Sequence, residues 1–125
     1  MEELIEIGRE FVKAMSQRRG ISHVDEVYAE DAESIEAVAP PGRELRIAKQ
    51  RSAIKAKRVD WAATHEIHRL EADGPYVHPP NQFAIRFEAE VTQKSTGRKM
   101  ILREIANYTV EYGKITREEF FMLPK

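Results

Sequence analysis

The chain has 125 residues, of which 42% are hydrophobic and 33% are charged, so it predicts one domain with an ordinary core rather than a disordered chain. Twenty basic and 21 acidic residues give a formal net charge of -1, which provides no overall field to attract nucleic acid or anionic lipid. Cysteine is absent, which excludes disulfides, thiolate metal sites and a cysteine nucleophile.

The sequence shows no signal for secretion or for membrane insertion. Its start, MEELIEI, is acidic and lacks the basic and apolar regions of a secretory signal. No apolar run approaches the roughly 20 residues that a membrane-spanning helix needs. We therefore expect a single domain over residues 1–125, located in the cytoplasm, with no membrane partner and no nucleic-acid partner.

Two helices are predicted at the start of the chain. Residues 2–19 place apolar side chains three and four positions apart, which is the pattern of an amphipathic helix, and Gly20 follows its end. A short second helix is expected to begin at Ser22, because its hydroxyl can accept a hydrogen bond from a free backbone N–H of the first turn. Tyr28 should face inward at the end of this helix.

A strand and a third helix are predicted next. The stretch from Ser34 to Ala39 is expected to form a strand that ends at the sequence PPG. The third helix should cover residues 44–61, where Ile47, Ile54 and Trp61 recur every seven residues. Its basic run, KQRSAIKAKR, is interpreted as a solvated surface rather than a phosphate-binding face, because the protein as a whole is nearly neutral.

From residue 64 onward the sequence predicts long strands joined by short turns. The clearest alternation, in NQFAIRFEAEVT, sets Phe83, Ile85 and Phe87 on one face and charged residues on the other. Turns that contain glycine separate neighbouring runs and favour antiparallel hairpins. Helices followed by a meander of strands predict an α+β fold, with the helices packed on one face of a curved sheet.

Five stretches together carry a family pattern: VYAEDA, SIEAVAPP, HEIHRLEADGPYV, QFAIRFEAEVTQKSTGRKM and YTVEYGKITREEFF. With the order of the predicted elements, they resemble the SnoaL-like branch of the nuclear transport factor 2-like superfamily over nearly the whole chain. One departure is Gln50, since the family usually has a glycine where the third helix opens. The resemblance implies a cone-shaped, cystatin-like α+β fold. In that fold three helices from the N-terminal half pack on a curved, mostly antiparallel sheet around one deep pocket, frequently in a homodimer.

The resemblance leaves two classes of function open, because this fold is shared by polyketide cyclases, ketosteroid isomerases, dehydratases and non-catalytic domains. The first hypothesis is a pocket for a hydrophobic or carbonyl-containing small molecule, in which the protein catalyses proton transfer as in cyclisation, isomerisation or dehydration. The second is a non-catalytic ligand-binding or assembly module of the same fold. Neither hypothesis requires a cofactor or a metal ion.

Glu36 is the candidate base for the first hypothesis. The stretch YAEDAESIE is similar to a ketosteroid isomerase pattern that ends on the catalytic acid, and here it ends on Glu36. A carboxylate at that position could take a proton from carbon next to a carbonyl group. Alternatively, Glu36 is a strand-end glutamate paired with a basic residue. The two oxyanion donors of those isomerases fall on Phe11 and Ala106, which cannot donate, so steroid isomerisation of the known kind is not expected.

The last two strands are predicted to bring further carboxylates to the same pocket. If the final hairpin keeps the family register, these side chains share the inward face while Glu119 points outward: Glu104, Ala106, Tyr108, Glu118 and Phe120. Mutual repulsion with Glu36 would then hold at least one carboxyl protonated, so that it could serve as a hydrogen-bond donor. The alternative is that a strand arginine neutralises them, namely Arg69, Arg86 or Arg103.

The histidines do not predict a metal site, because His65 and His68 lie three apart on a strand and point to opposite faces. His68 matches a histidine of the SnoaL-like pattern, so it is either a pocket group that shuttles protons or a structural histidine. His23 and His78 are expected in loops. Trp61 either walls the pocket or fills the core. The predicted pocket lining consists of Phe11, Tyr28, Trp61, His68, Phe87, Ala106, Tyr108 and Phe120.

The opposite face of the last strands predicts an interface between two copies of the chain. Its side chains form a patch that is too apolar for a solvated face: Ile101, Ile105, Phe121 and Leu123. Charged residues of both signs should surround it: Arg86, Glu88, Arg103 and Glu119. We therefore expect a two-fold homodimer.

Overall fold

The computed structural model describes residues 1–38 and 46–123, and these residues form three helices and one six-stranded sheet. The elements, in chain order, are α1 (Glu2–Ser16), α2 (Gly20–Val27), β1 (Tyr28–Ile35), β2 (Ile47–Lys49), α3 (Arg51–Thr64), β3 (His65–His78), β4 (Gln82–Gln93), β5 (Arg98–Glu111) and β6 (Lys114–Met122). The strand order is β2-β1-β6-β5-β4-β3. All pairs are antiparallel except β1 with β6, which run parallel. The α+β fold with a curved, mostly antiparallel sheet is therefore confirmed.

The first half of the chain differs from the prediction at several boundaries. Helix α1 ends at Ser16, before the predicted end at residue 19, and α2 begins at Gly20 rather than at Ser22. The Ser22 hydroxyl instead donates to the carbonyl oxygen of Arg19, at 3.2 Å. His23 lies within α2 and is buried, so its predicted loop position is wrong. His78, also expected in a loop, is the last residue of β3.

The first strand starts at Tyr28, six residues before its predicted start at Ser34. Its inward side chains after Tyr28 are small, Ala32 and Ser34, and Glu30 and Asp31 are exposed charges, so the stretch has the composition of a loop. Pairing with β6 makes it a strand nonetheless, with an irregularity between Tyr28 and Glu33. The predicted strand end at Ala39 lies outside the described residues.

Helix α3 begins at Arg51, later than the predicted start at residue 44, which lies outside the described residues. Ile47 belongs to β2 and is 45% exposed, so it is not part of the apolar stripe of the helix. Gln50 separates the two elements with a φ of 80° and a ψ of 144°, a conformation that glycine adopts readily and other residues rarely. The position where the resembling family carries a glycine is therefore a strained position here.

The sheet face that packs against the helices is called the inner face. Five residues of β4 point to it and are all buried: Phe83, Ile85, Phe87, Ala89 and Val91. The ring of Phe11, from α1, lies over this face with its centroid 4.5 Å from that of Tyr108 and 6.3 Å from that of Phe83. Such aromatic contacts each add about 1 kcal/mol to the free energy of burial.

The register of the neighbouring strands β4, β5 and β6 extends the inner face across the sheet. Phe83 of β4 is opposite Tyr108 of β5, which is opposite Glu118 of β6. Two positions along, Ile85, Ala106 and Phe120 form the next row. Side chains in one cross-strand row point to the same face. The register therefore places Glu118 on the inner face and its neighbour Glu119 on the other, as the alternation predicts.

The outer face of the sheet carries both apolar and charged side chains. Ile101 is 56% exposed and Phe121 is 49% exposed. Arg69 and Arg103 both lie within ion-pair distance of Glu88 on this face. Among the described residues, no helix has the length and apolar character that crossing a membrane requires.

We expect Gln50→Gly to raise the free energy of unfolding by about 1 kcal/mol, because glycine adopts the observed backbone conformation without strain. The side chain of Gln50 is exposed, so little packing is lost, and its backbone N–H still donates to the carbonyl oxygen of Ala32. Denaturant unfolding measures the change. Gln50→Ala is the control, since alanine keeps the Cβ atom; an equal gain in that variant would contradict the explanation.

Candidate functional site

Five ionisable side chains meet between α3 and the inner face, and we call them the ionic cluster: Glu36, Lys57, Arg58, Glu104 and Glu118. The two cations are adjacent residues of α3, while the carboxylates come from the residue that follows β1, from β5 and from β6. A charge on a buried face is costly unless a partner satisfies it. The pairing within the cluster therefore decides what each group can do.

Glu118 is fully buried and is held by two donors. Its Oε1 accepts a hydrogen bond from the Tyr28 hydroxyl and another from Nη2 of Arg58, the latter at 3.0 Å. Arg58 also donates to the Tyr28 hydroxyl at 2.7 Å and to the carbonyl oxygen of Gly20 at 3.1 Å. In the part of the chain that the structure describes, the other oxygen, Oε2, has no hydrogen-bond partner.

The buried pair also perturbs the groups around it. Burial, with the charge of Glu118, raises the pKa of Tyr28 and of Tyr108 well above the usual tyrosine range. Burial alone would lower the pKa of Arg58, but Tyr28 and Glu118 raise it above its ordinary value. Both tyrosines are therefore neutral and Arg58 is charged at physiological pH.

Glu36 is paired with Lys57, which is the alternative that the sequence left open. Nζ of Lys57 donates to Oε1 of Glu36 at 2.5 Å and to Oγ of Ser34 at 2.6 Å. The ammonium also lies 5.4 Å from the centroid of the Phe120 ring. The side chains of Lys57 and Glu36 keep 15% and 26% of their exposure, whereas Glu118 keeps none, so this pair is the more accessible of the two.

The partner cations come from α3 rather than from the strands. Arg69 pairs with Glu71, Glu88 and Glu90, and Arg103 pairs with Glu88, all away from the cluster. The interpretation of the basic run as a solvated surface is thus wrong for Lys57 and Arg58. A signal was present, because these two residues follow the buried Ile54 by three and four positions and so lie on its face of the helix.

Glu104 is the third carboxylate, and no cation among the described residues is paired with it. Burial, reinforced by the negative charges of Glu36 and Glu118, raises its pKa to about 7, although Lys57 and Arg58 act in the opposite direction. Within residues 1–38 and 46–123 it forms neither a hydrogen bond nor an ion pair. A carboxyl group with this pKa exchanges between acid and base near neutral pH, so it can donate or accept a proton.

The other residues predicted to line a pocket fall into two groups. Six of them lie on or against the inner face: Phe11, Tyr28, Phe87, Ala106, Tyr108 and Phe120. Trp61 stacks on His65 with ring centroids 4.4 Å apart, at the end of α3. His68 is exposed, and its Nε2 lies 2.7 Å from the Thr92 hydroxyl. The structure therefore does not bring His68 to the ionic cluster.

Two further points concern histidine and metal binding. Buried His23 packs edge-on against Phe11 at 5.4 Å between ring centroids, and burial lowers its pKa although Glu26 opposes that effect. Among the residues that the structure describes, no group of three or more histidine, aspartate or glutamate side chains is arranged to hold a metal ion.

Comparison with known proteins gives one family and one fold. The model of the SnoaL-like domain family matches residues 4–122. A protein from Mesorhizobium loti, provisionally described as a SnoaL-like polyketide cyclase and also labelled carbohydrate phosphatase, has a crystal structure that is 32% identical, with a TM-score of 0.84 over 96% of each chain. A search of curated proteins found no match.

More distant crystal structures show the fold alone. An NTF2-like protein of unknown function from Burkholderia pseudomallei is 17% identical, with a TM-score of 0.73 over 98% of this chain and 92% of that chain. A Bacillus subtilis protein, provisionally described as an isomerase, is 19% identical, with a TM-score of 0.73 over 93% of this chain and 83% of that chain.

We expect Glu104→Gln to stabilise the protein, and more so at high pH. The carboxyl has a pKa of about 7 when folded against 4.5 as its ordinary value, so the folded chain binds more protons between these values. Stability contributed by this group therefore falls as the pH rises from about 4.5 to about 7 and stays low above that. The gain on substitution should be about 2 kcal/mol larger at about pH 8 than at about pH 5, measured by denaturant unfolding.

Glu118→Gln is the matched variant and should have the opposite sign. It removes a charge that Arg58 needs in a buried position, which lowers the free energy of unfolding by about 3 kcal/mol. Destabilisation by both substitutions, with no pH dependence at Glu104, would show that Glu104 is ion-paired.

Proposed function

Because the chain belongs to the SnoaL-like domain family, we propose that it binds a small carbonyl compound at the ionic cluster and catalyses proton transfer on it, with Glu36 as base. The observation that carries the proposal is the coexistence of an ion-paired carboxylate, Glu36, with a carboxyl whose pKa is about 7, Glu104. Glu36, whose Oε1 is held by Lys57, is placed to act as the base, and Glu104, whose raised pKa lets it keep a proton near neutral pH, is suited to act as the acid.

The chemistry follows from these roles. Glu36 takes the proton from the carbon next to the carbonyl group, and the C–H electron pair moves to the carbonyl oxygen. Glu104 in its protonated form donates a hydrogen bond to the oxygen as negative charge develops there. Returning the proton at another carbon gives isomerisation. Because Glu104 must be protonated, the rate should fall as the pH rises through about 7.

A second candidate is a non-catalytic ligand-binding module of the same fold. The observation in its favour is that both Glu36 and Glu118 are engaged in ion pairs, as structural carboxylates are. The descriptions of the Mesorhizobium loti protein combine a cyclase with a phosphatase, so similarity does not choose between reactions. The choice depends on whether the carbon of a carbonyl compound exchanges its protons on the protein.

We expect Glu36→Gln to abolish proton transfer while the fold is kept, because the amide is nearly isosteric but is not an effective base. The assay is the exchange of α-hydrogens of simple ketones, such as cyclohexanone, for deuterium in D2O, followed by NMR. A loss of about 100-fold or more in the catalysed rate is expected.

Glu119→Gln is the control for this assay, since Glu119 lies on the outer face one residue from Glu118. It should exchange ketone hydrogens at the rate of the unsubstituted protein. Full activity in Glu36→Gln would remove Glu36 from the role of base, and the lack of exchange in the unsubstituted protein across a panel of ketones would favour the binding module.

We also propose that the outer face joins two copies of the chain. Ile105 and Phe121 are opposite each other in the sheet, and Ile101 lies beside them along β5, partly in solvent. The pair formed by Arg103 and Glu88, 2.8 Å apart, offers charges of both signs at the edge of this patch. A self-complementary patch of this kind is suited to a two-fold contact.

Light scattering at micromolar concentration should report about 29 kDa, twice the chain mass of 14.4 kDa. Phe121→Glu should reduce it to the mass of one chain, because it places a charge in the apolar contact. Tyr112→Glu is the control, since Tyr112 is a fully exposed aromatic residue in the β5–β6 turn. A monomer before any substitution would contradict the proposed contact.

A further inference from the structure

We infer that the Lys57 ammonium, together with the Glu104 carboxyl, binds an anionic oxygen of the ligand, so that the site takes enolates and other planar oxyanions such as phenolates. The inference extends the proposed function and, for its catalytic role, rests on it. It concerns ligand class, which the family does not determine, and it assigns a role to a residue of the basic helix. The reasons lie in the donors of Lys57, its access and its charge balance with Glu36.

The first reason is a free donor. An ammonium group carries three N–H donors, and in Lys57 two of them are used by Glu36 and Ser34. No further acceptor for the third occurs among the described residues; the ammonium lies 5.4 Å from the Phe120 ring centroid. Arg58 differs, because it is bound to Glu118, Tyr28 and Gly20.

The second reason is access. Ser34 is fully buried and holds the ammonium from the side of the sheet, so the remaining exposure of Lys57 and Glu36 faces away from the core. In the other pair, the Arg58 side chain keeps the same 15% exposure as Lys57, but Glu118 has none. The pair formed by Lys57 and Glu36 is therefore the one in which both partners are accessible to a ligand.

The third reason is the charge balance during proton transfer. Lys57 binds Oε1 of Glu36, and no described residue bonds Oε2, which is the atom that takes the proton from carbon. The C–H bond breaks, an O–H bond forms at Oε2, and the C–H electron pair moves to the carbonyl oxygen. Glu36 becomes neutral as the oxygen becomes negative, and Lys57 exchanges one anionic partner for the other. The positive charge is thus compensated at each stage, which matters where solvent is scarce.

The same balance predicts which ligands bind. An acidic phenol can give its proton to Glu36 and remain as phenolate against Lys57, without any carbon chemistry. An aliphatic alcohol is too weak an acid to do so, and an amine brings a second cation next to Lys57. The Phe120 ring beside the ammonium offers an apolar surface to a flat ligand.

The test uses 4-nitrophenol, whose phenolate has its own visible absorbance band, at a pH where the free compound is mostly protonated. The unsubstituted protein should bind it as phenolate and show the band. Lys57→Met should weaken this binding about tenfold or more, because a charge-assisted hydrogen bond is lost. Lys57→Arg should retain the band, since it keeps the charge and the donors.

Lys55→Met is the matched control, because Lys55 lies on the same helix but pairs with Asp25 outside the cluster. It should bind 4-nitrophenol as the unsubstituted protein does. The double variant Lys57→Met with Glu36→Gln removes both charges together and is used if Lys57→Met alone does not fold; it is compared with Glu36→Gln, which lacks the same proton acceptor but keeps Lys57. Circular dichroism establishes folding in each case, and the folded double variant should also lack the phenolate band.

Three results would overturn the inference. The first is the lack of a phenolate band in the unsubstituted protein. The second is an affinity of folded Lys57→Met within about twofold of that of the unsubstituted protein, or of the folded double variant within about twofold of that of Glu36→Gln. The third is folded Lys57→Arg binding no better than Lys57→Met. These results are separate from the ketone exchange assay. If ketone exchange depends on Glu36 but the protein binds no phenolate, the proposed function stands and Lys57 has no part in it. If phenolate binding depends on Lys57 but the protein exchanges no ketone hydrogens, the inference on ligand class stands and the proposed catalysis is wrong.

Discussion

The burial of a carboxylate at the centre of the sheet is the constraint on which the rest of the structure depends. Glu118 has no exposure, so its charge needs partners that only other elements can supply. Tyr28 supplies a hydroxyl from the junction of α2 and β1, and Arg58 supplies a guanidinium from α3. One side chain thereby fixes where the helices lie over the inner face, and it does so through directional contacts that apolar packing alone does not provide.

Helix α3 also explains why the three carboxyl groups of the ionic cluster differ in their pairing. Lys57 and Arg58 are adjacent, yet one reaches the accessible end of the cluster and the other reaches its buried end. Two cations then serve three carboxylates, and Glu104 is the acid left over, with its pKa raised to about 7. The site therefore contains a paired acid at each end and an unpaired acid between charged neighbours, which is an unusual combination for a purely structural network.

The sequence predicted those parts of this arrangement that depend on neighbouring residues of one strand or helix. Alternation along β5 and β6 is sufficient to place Tyr108 and Glu118 on one face, because a strand has a period of two. The start of β1 was missed, since Ala32 and Ser34 are small inward residues among charges and only their pairing with distant β6 makes them a strand. The depth of Lys57 and Arg58 was missed because the basic run was interpreted from its charge alone, although the spacing of these residues from Ile54 places them on the buried face of the helix. The start of α3 was missed because a positive φ at Gln50 leaves no mark in the sequence unless the residue is glycine.

The parallel pairing of β1 with β6 has a consequence for synthesis of the chain. Tyr28 and Glu118 are separated by 90 residues, so the contact cannot form until β6 has left the ribosome, after the three helices and the five other strands. Hairpins β3–β4 and β4–β5 join neighbours in sequence and can pair earlier, since short loops close at low entropic cost. The helices must then wait for β6 before they can dock on the complete sheet. The ionic cluster is thus completed only when β6 is added. In a nascent chain that stops before β6, Arg58 lacks its buried partner Glu118.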